Sequence, residues 1–204
     1  MRIFAGVASW VAGFVDAVGF LALGGFFVSF MSGNTTRMAV GLADSAHDGL
    51  VAAGLIGTFV LGVVLGSTIG RIAGRHRRTW VLLVVAALLA AAVGLHGAGG
   101  QTPAFTAMAL AMGAENAVFE RDGEVQIGLT YMTGTLVKLG QRLAGAVAGG
   151  ERWAWIPYLA QWLSLATGAL SGALLYPHIG IAALWLAVAA LLVLAVAALR
   201  LDHP

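Results

Sequence analysis

The sequence predicts an all-α integral membrane protein. About six membrane-spanning helices form two inverted three-helix repeats, each with a broken or re-entrant segment. Three observations carry this reading. Hydrophobic residues make up 60% of the 204-residue chain and charged residues only 10%, against roughly 45–50% and about 25% in soluble domains. Several apolar runs reach the roughly 20 residues that cross a bilayer as helix, without the alternation of β-barrel strands. The stretch Ser29-Phe30-Met31-Ser32-Gly33-Asn34-Thr35-Thr36-Arg37 returns as Thr130-Tyr131-Met132-Thr133-Gly134-Thr135-Leu136-Val137-Lys138. Hydrocarbon penalises such polar stretches unless they line a cavity or pack against protein.

The spans fall at roughly 3–23, 48–70, 79–98, 101–119, 153–174 and 179–199. The first begins like a signal peptide, with Met1-Arg2 ahead of an apolar run. Asp16 within it has the counterpart Asn116, so the segment is read as a permanent span. The second carries Gly62, Gly66 and Gly70, and the fifth Gly168 and Gly172; this spacing lets helices approach closely. Trp10, Trp80, Trp153, Trp155 and Trp185 mostly sit near span ends, as in an aromatic belt. Two further apolar stretches, 25–44 and 127–145, are interrupted by the polar motif and are read as broken segments ending in half-helices.

The halves, repeat 1 at 1–98 and repeat 2 at 101–200 of one transmembrane domain, align with little drift. Gly13, Ala17 and Val18 match Gly113, Ala117 and Val118; Met31, Gly33, Leu42 and Ala43 match Met132, Gly134, Leu143 and Ala144. Such self-similarity is how internal repeats announce themselves. Cytoplasmic loops are rich in Lys and Arg. The densest basic loop holds Arg71, Arg75, Arg77 and Arg78, and placing it inside puts both termini inside as well. Arg121, Arg152 and Arg200 then lie inside too, and Asp44 and Asp48 outside. Three passes per repeat is an odd number, so the repeats are inverted. Eight full crossings would instead put Arg2 and Arg200 outside.

The pattern Gly13-Phe14-Val15-Asp16-Ala17-Val18-Gly19-Phe20, then Phe30-Met31-Ser32-Gly33-Asn34-Thr35-Thr36, resembles the YoaK-like membrane proteins of bacteria, a domain of unknown function (1275). Asn116-Ala117-Val118-Phe119 and Leu129-Thr130-Tyr131-Met132-Thr133-Gly134-Thr135-Leu136 resemble the same family. The likeness covers nearly the whole chain. It implies a small bacterial inner-membrane protein of about six helices and supplies no substrate. One departure is Glu115, where an uncharged residue is expected.

The chemistry-bearing candidates gather around the broken segments. Asp16, near the middle of the first span, is an ionisable group inside a membrane and reads as a proton-coupling carboxylate. The alternative is a structural pair with Arg37 or Lys138, or hydrogen bonds to neighbouring hydroxyls. Ser32, Gly33, Asn34, Thr35 and Thr36 can break and cap a half-helix whose free N–H groups and dipole favour an anion; Arg37 would add charge. Thr130, Tyr131, Thr133, Gly134, Thr135 and Lys138 are the second-half equivalents, less polar because Leu136 and Val137 replace two threonines. Asn116 matches Asp16. Glu115 reads as a charge near the interface, with Lys138 or Arg142 as alternative partners, beside a solvated turn at Glu120, Arg121, Asp122 and Glu124.

A pair of interrupted segments in matching halves points to a transporter binding site. The sequence-based expectation is a secondary transporter for a small polar or anionic solute, with proton coupling, no other cofactor, no metal and no enzymatic activity. A channel and a non-transporting assembly factor or sensor are the alternatives. The partners expected are the lipid bilayer and the solute, with no nucleic acid; a homo-oligomer remains open. No cysteine is present, and the five histidines are scattered without ligand spacing. No P-loop, dinucleotide-binding or G-x-S-x-G pattern occurs.

Overall fold

The computed structural model describes residues 2–44, 46–121, 124–125 and 129–202. Asp122, residues 127–128 at the start of the second broken stretch, and His203 lie outside the described residues. The helices are α1 (Arg2–Ala22), α2 (Met31–Asp44), α3 (Ala46–Ala73), α4 (Arg77–Gly97), α5 (Gln101–Glu115), α6 (Met132–Val147), α7 (Ile156–Ile179) and α8 (Leu184–Asp202). The only extended pairing among the described residues is a two-residue antiparallel ladder, β1 (Glu120–Arg121) against β2 (Glu124–Val125).

Three continuous helical stretches are long and apolar enough to cross a membrane: Ile3–Ala22, Ala46–Gly97 and Ile156–Arg200. The protein is therefore an integral membrane protein. The second and third stretches run for 52 and 45 residues, far more than the roughly 20 one crossing needs. Each folds back on itself at a 3-10 turn, Gly74–His76 between α3 and α4 and Gly180–Ala183 between α7 and α8. The fourth predicted span is shorter as α-helix than expected. It is α-helical only to Glu115, then tightens into a 3-10 turn over Asn116–Phe119.

The predicted division between the fifth and sixth spans also shifts. The fifth was expected to end near 174, yet α7 runs through Pro177 to Ile179. Pro177 fits helical φ and forfeits only one N–H bond. The stop comes at Gly180, whose φ of +58° suits glycine and whose N–H closes on the Tyr176 carbonyl.

Small residues set the helix packing. Gly168 and Gly172 of α7 lie against the backbone carbonyls of Trp10 and Phe14, and Gly6 of α1 lies against Ser164. These pairings advance together along both helices, so α1 and α7 run parallel. Gly62 and Gly66 of α3 meet the carbonyls of Leu110 and Ala114, making α3 and α5 parallel in the same way. A Cβ at Gly62, Gly66, Gly168 or Gly172 would overlap the neighbouring backbone. The close-approach glycines are thus used within the chain, each joining one half to the first helix of the other.

Phe4 touches Phe119 edge-on at 5.7 Å, while Gly19 lies beside the Met108 side chain, so α1 and α5 run antiparallel. α4 packs on α5 and α8. The core lies where these helices meet, with Phe14, Leu82, Leu89, Met108, Met112 and Leu191 fully buried.

Candidate functional site

The first broken segment is held by its own polar residues. After α1 the chain reverses at Gly24 and Gly25, both at positive φ (+64° and +103°), and returns toward the middle of that helix. Its peptide groups leave helical bonding there, and inside a membrane each needs a partner. Asp16 Oδ1 accepts the N–H groups of Val28 at 2.9 Å and Ser29 at 2.7 Å. Buried Asn34, one turn into α2, accepts the Phe27 N–H at 3.0 Å through Oδ1 and donates Nδ2 to the Phe27 carbonyl at 2.7 Å. Gly33 makes room for Phe27 and Phe30, whose rings meet edge-on at 5.1 Å.

The remaining polar residues here are also spent locally. Thr35 and Thr36 donate to the Met31 and Ser32 carbonyls of their own helix, and Ser32 is exposed. Arg37 lies against Gly25 and over the Phe26 ring, 4.9 Å from its centre. With Asp44 and Asp48 it borders a small cavity of about 270 Å³ at the far end of α2. Among the described residues, neither Arg37 nor Lys138 forms an ion pair with Asp16.

The second broken segment repeats the design with weaker parts. Asn116 Oδ1 accepts the Thr130 hydroxyl at 3.3 Å, echoing the Asp16 contact with Ser29. Its Nδ2 turns back to the Met112 carbonyl at 3.0 Å. Thr135 stands where Asn34 stands in the first half, but it has no amide to grip a peptide and donates to the Tyr131 carbonyl instead. Gly134 has nothing within 4 Å of where a Cβ would lie, unlike the crowded Gly33.

The far end of the helix differs too. Gly41 sits hard against the Gly49 backbone and seals α2 onto α3; the matching position in α6 is Arg142. A long charged side chain cannot enter that seam, and α6 rests less closely on α7.

A chamber of about 970 Å³ opens between α6, α1 and α7. Tyr131, Gly134, Thr135 and Lys138 line it from α6 and its approach. The broken first segment does not reach it, and neither do Asn116, Thr130 nor exposed Thr133. The two motifs therefore do not share one chamber. The opposite wall, which the sequence reading missed, comes from Trp10 of α1 and from Tyr158, Gln161, Ser164 and Thr167 of α7. A signal existed: Gln161, Ser164 and Thr167 recur every third residue on an otherwise apolar helix.

Two acids sit differently from expectation. Glu115 is fully buried rather than near the interface, and neither carboxyl oxygen has a hydrogen-bond partner among the described residues. It does not pair with Lys138 or Arg142. Glu120 belongs to no solvated turn. It accepts the Ser67 hydroxyl at 2.6 Å, pairs with Arg77 at 3.2 Å, and its carbonyl accepts a second bond from Arg77 at 2.9 Å. Burial works against its charge, but Ser67, Arg77 and the nearby Arg71 outweigh it and hold the carboxyl below its usual range. The basic loop thus anchors the turn after α5.

Fold and site define a helical membrane protein with one well-sealed and one open half-helix. The chain belongs to the family described as protein of unknown function (DUF1275), whose model matches residues 4–197. It is similar to UPF0700 transmembrane protein RA0705 of Rhizobium meliloti (strain 1021), 40% identical over 200 residues that cover 96% of this chain and 84% of that protein. No solved structure matches it.

Proposed function

We propose that the protein is a secondary transporter of the bacterial inner membrane for a small polar or anionic solute, and not an enzyme. The observation that carries this is the chamber beside α6, which places half of a repeated polar motif, with its lysine, around space large enough for a solute. In this reading six passes form two inverted repeats with both termini in the cytoplasm. The helix directions support it. α1 is antiparallel to α5, which is parallel to α3; a segment joining antiparallel α1 and α3 must leave and return on one side. α2 has 14 residues, about 21 Å, too short to cross alone. α6 is its counterpart.

In this mechanism the sealed first half is the rigid body and the loosely held α6 admits solute. Asp16 couples protons to movement, because its charge holds the returning segment through Val28 and Ser29. The test is proton uptake by reconstituted vesicles offered a panel of small metabolites, for the native chain and Asp16→Asn. Solute-dependent proton movement, lost in the variant, is the expected result. Solute flux that persists unchanged in Asp16→Asn overturns the coupling role, and absence of any flux across the panel counts against transport.

A non-transporting assembly or sensor role is the second reading. It draws on the first motif, whose polar groups are largely spent on neighbouring backbone and helix carbonyls. It expects no flux and an unaltered partner complex when the chamber is filled.

A further inference from the structure

The chamber beside α6 has an unusual division of labour between its polar and charged walls. Its lining is predominantly apolar and aromatic, with Trp10, Tyr131 and Tyr158 as the large faces. Lys138 is its one charged lining residue, and no carboxylate faces it among the described residues. Lys138 has no acidic partner within the described structure.

The hydroxyls on the polar wall are already committed as donors. Thr135 gives its hydrogen to Tyr131, Ser164 to Ala160 and Thr167 to Leu163, all backbone carbonyls. They keep lone pairs but have no proton to offer a ligand. Donors for a negative group therefore reduce to the ammonium and the Gln161 amide, with phenol or indole groups beside them.

Each ligand class can be weighed against that wall. A sugar or polyol would find acceptors on the hydroxyl wall but few donors to pair with its own oxygens. A bare inorganic anion would leave most of its surface against apolar side chains, at a desolvation cost one lysine cannot offset. A cation finds no carboxylate among the described residues. At about 970 Å³ the chamber also lies at the upper end of sites for small organic ligands.

We infer that the chamber binds an organic monocarboxylate with a sizeable apolar or aromatic body. Its carboxylate meets Lys138 and its body lies against Trp10, Tyr131 and Tyr158. This rests on the transport reading for its physiological meaning, though not for its test. An acidic lipid headgroup shares the same chemistry, so the test separates lipid from soluble acid.

The experiment is equilibrium binding to the purified full chain in nanodiscs of zwitterionic lipid. The probe is naphthalene-2-carboxylate, compared with the uncharged naphthalene-2-methanol and with inorganic phosphate. Saturable binding of the carboxylate is expected, with the alcohol and phosphate at least about ten-fold weaker. Lys138→Gln should weaken the carboxylate by a similar factor, Lys138→Arg should retain it, and Ala160→Phe, which intrudes on the chamber, should weaken it. Ala160→Phe leaves Lys138 in place, and each variant is compared with the native chain in melting temperature.

Equal binding of acid and alcohol, equal binding of phosphate, or indifference to Lys138→Gln overturns the inference. Loss of binding when the nanodisc contains phosphatidylglycerol also overturns it, since the lipid then owns the site. Binding without flux would sink the transport reading alone; flux of other solutes without binding would sink only this ligand class.

Discussion

Asn34 grips the Phe27 peptide from both sides, accepting its N–H at 3.0 Å and donating to its carbonyl at 2.7 Å. One side chain thus satisfies both backbone polar groups of a residue that neither helix can serve. Asn34→Thr reproduces what Thr135 offers in the second half and leaves at least one of those groups unpaired. An unsatisfied buried group costs about 1–3 kcal/mol. Asn34→Thr should therefore lower the melting temperature and speed hydrogen exchange at residues 26–31, while Thr135→Ser leaves both nearly unchanged. Unaltered exchange in Asn34→Thr would refute the clamp.

Two matching glycines should respond in opposite directions. A Cβ at Gly33 would overlap the Phe30 ring, whereas nothing lies within 4 Å at Gly134. Gly33→Ala should destabilise the protein by about 1–3 kcal/mol, the usual range for overpacking. Gly134→Ala should stabilise it by about 0.5–1 kcal/mol, because alanine loses less backbone freedom in a helix. Reversible unfolding in mixed micelles measures both; equal effects would mean that the two motifs are packed alike.

Sequence reasoning reached the membrane class, the repeated motif and most helix positions, because long apolar runs and Gly/Ser/Asn punctuation are local signals. Asp16 and Asn34 were visible as polar residues in the wrong solvent. Their use was not visible, since the Val28 and Phe27 peptides they hold are named by no side-chain pattern. Likewise Arg142 in place of Gly41 reads as one more basic residue until α2 and α3 are seen touching there. Glu120 looked solvated among charged neighbours, because only the fold brings Arg77 and Ser67 to it from two other helices.

The parallel course of α1 and α7 has a direct chemical test. The chain has no cysteine, so introduced pairs report without background. A Cβ at Gly6 would lie 3.3 Å from the Ser164 hydroxyl, close to the separation a disulfide needs. Gly6→Cys with Ser164→Cys should crosslink on mild oxidation in membranes. Gly6→Cys with Tyr176→Cys should not, since position 176 is about 18 Å further along α7. The reverse pattern would make the two helices antiparallel.

Acid should loosen the turn after α5 through Glu120. Its carboxyl titrates below the ordinary value of 4.5 when folded, held there against the effect of burial by Ser67, Arg77 and Arg71. A depressed carboxyl stabilises the fold above its unfolded value, and that contribution drains away as pH falls through the lower folded value. The native chain should therefore lose melting temperature below about pH 4.5, more steeply than Glu120→Gln. At neutral pH the variant should be the less stable of the two. Parallel acid profiles would show that the Arg77 contact is not coupled to folding.

Glu115 sits fully buried with both carboxyl oxygens unpartnered among the described residues. No packing argument requires a carboxyl there, and a buried polar group without a bond costs about 1–3 kcal/mol. A methionine fills similar space without that cost. Glu115→Met should therefore raise the melting temperature, by an amount equivalent to about 1–2 kcal/mol. The same variant tests whether the cost is retained for function, because stabilising changes at working sites commonly impair activity. A more stable protein with flux lost would mark Glu115 as part of the transport machinery, beside Asp16. A more stable protein with unchanged flux would make it a tolerated defect. A less stable protein would mean that Glu115 has a partner, and would overturn the reading of its burial.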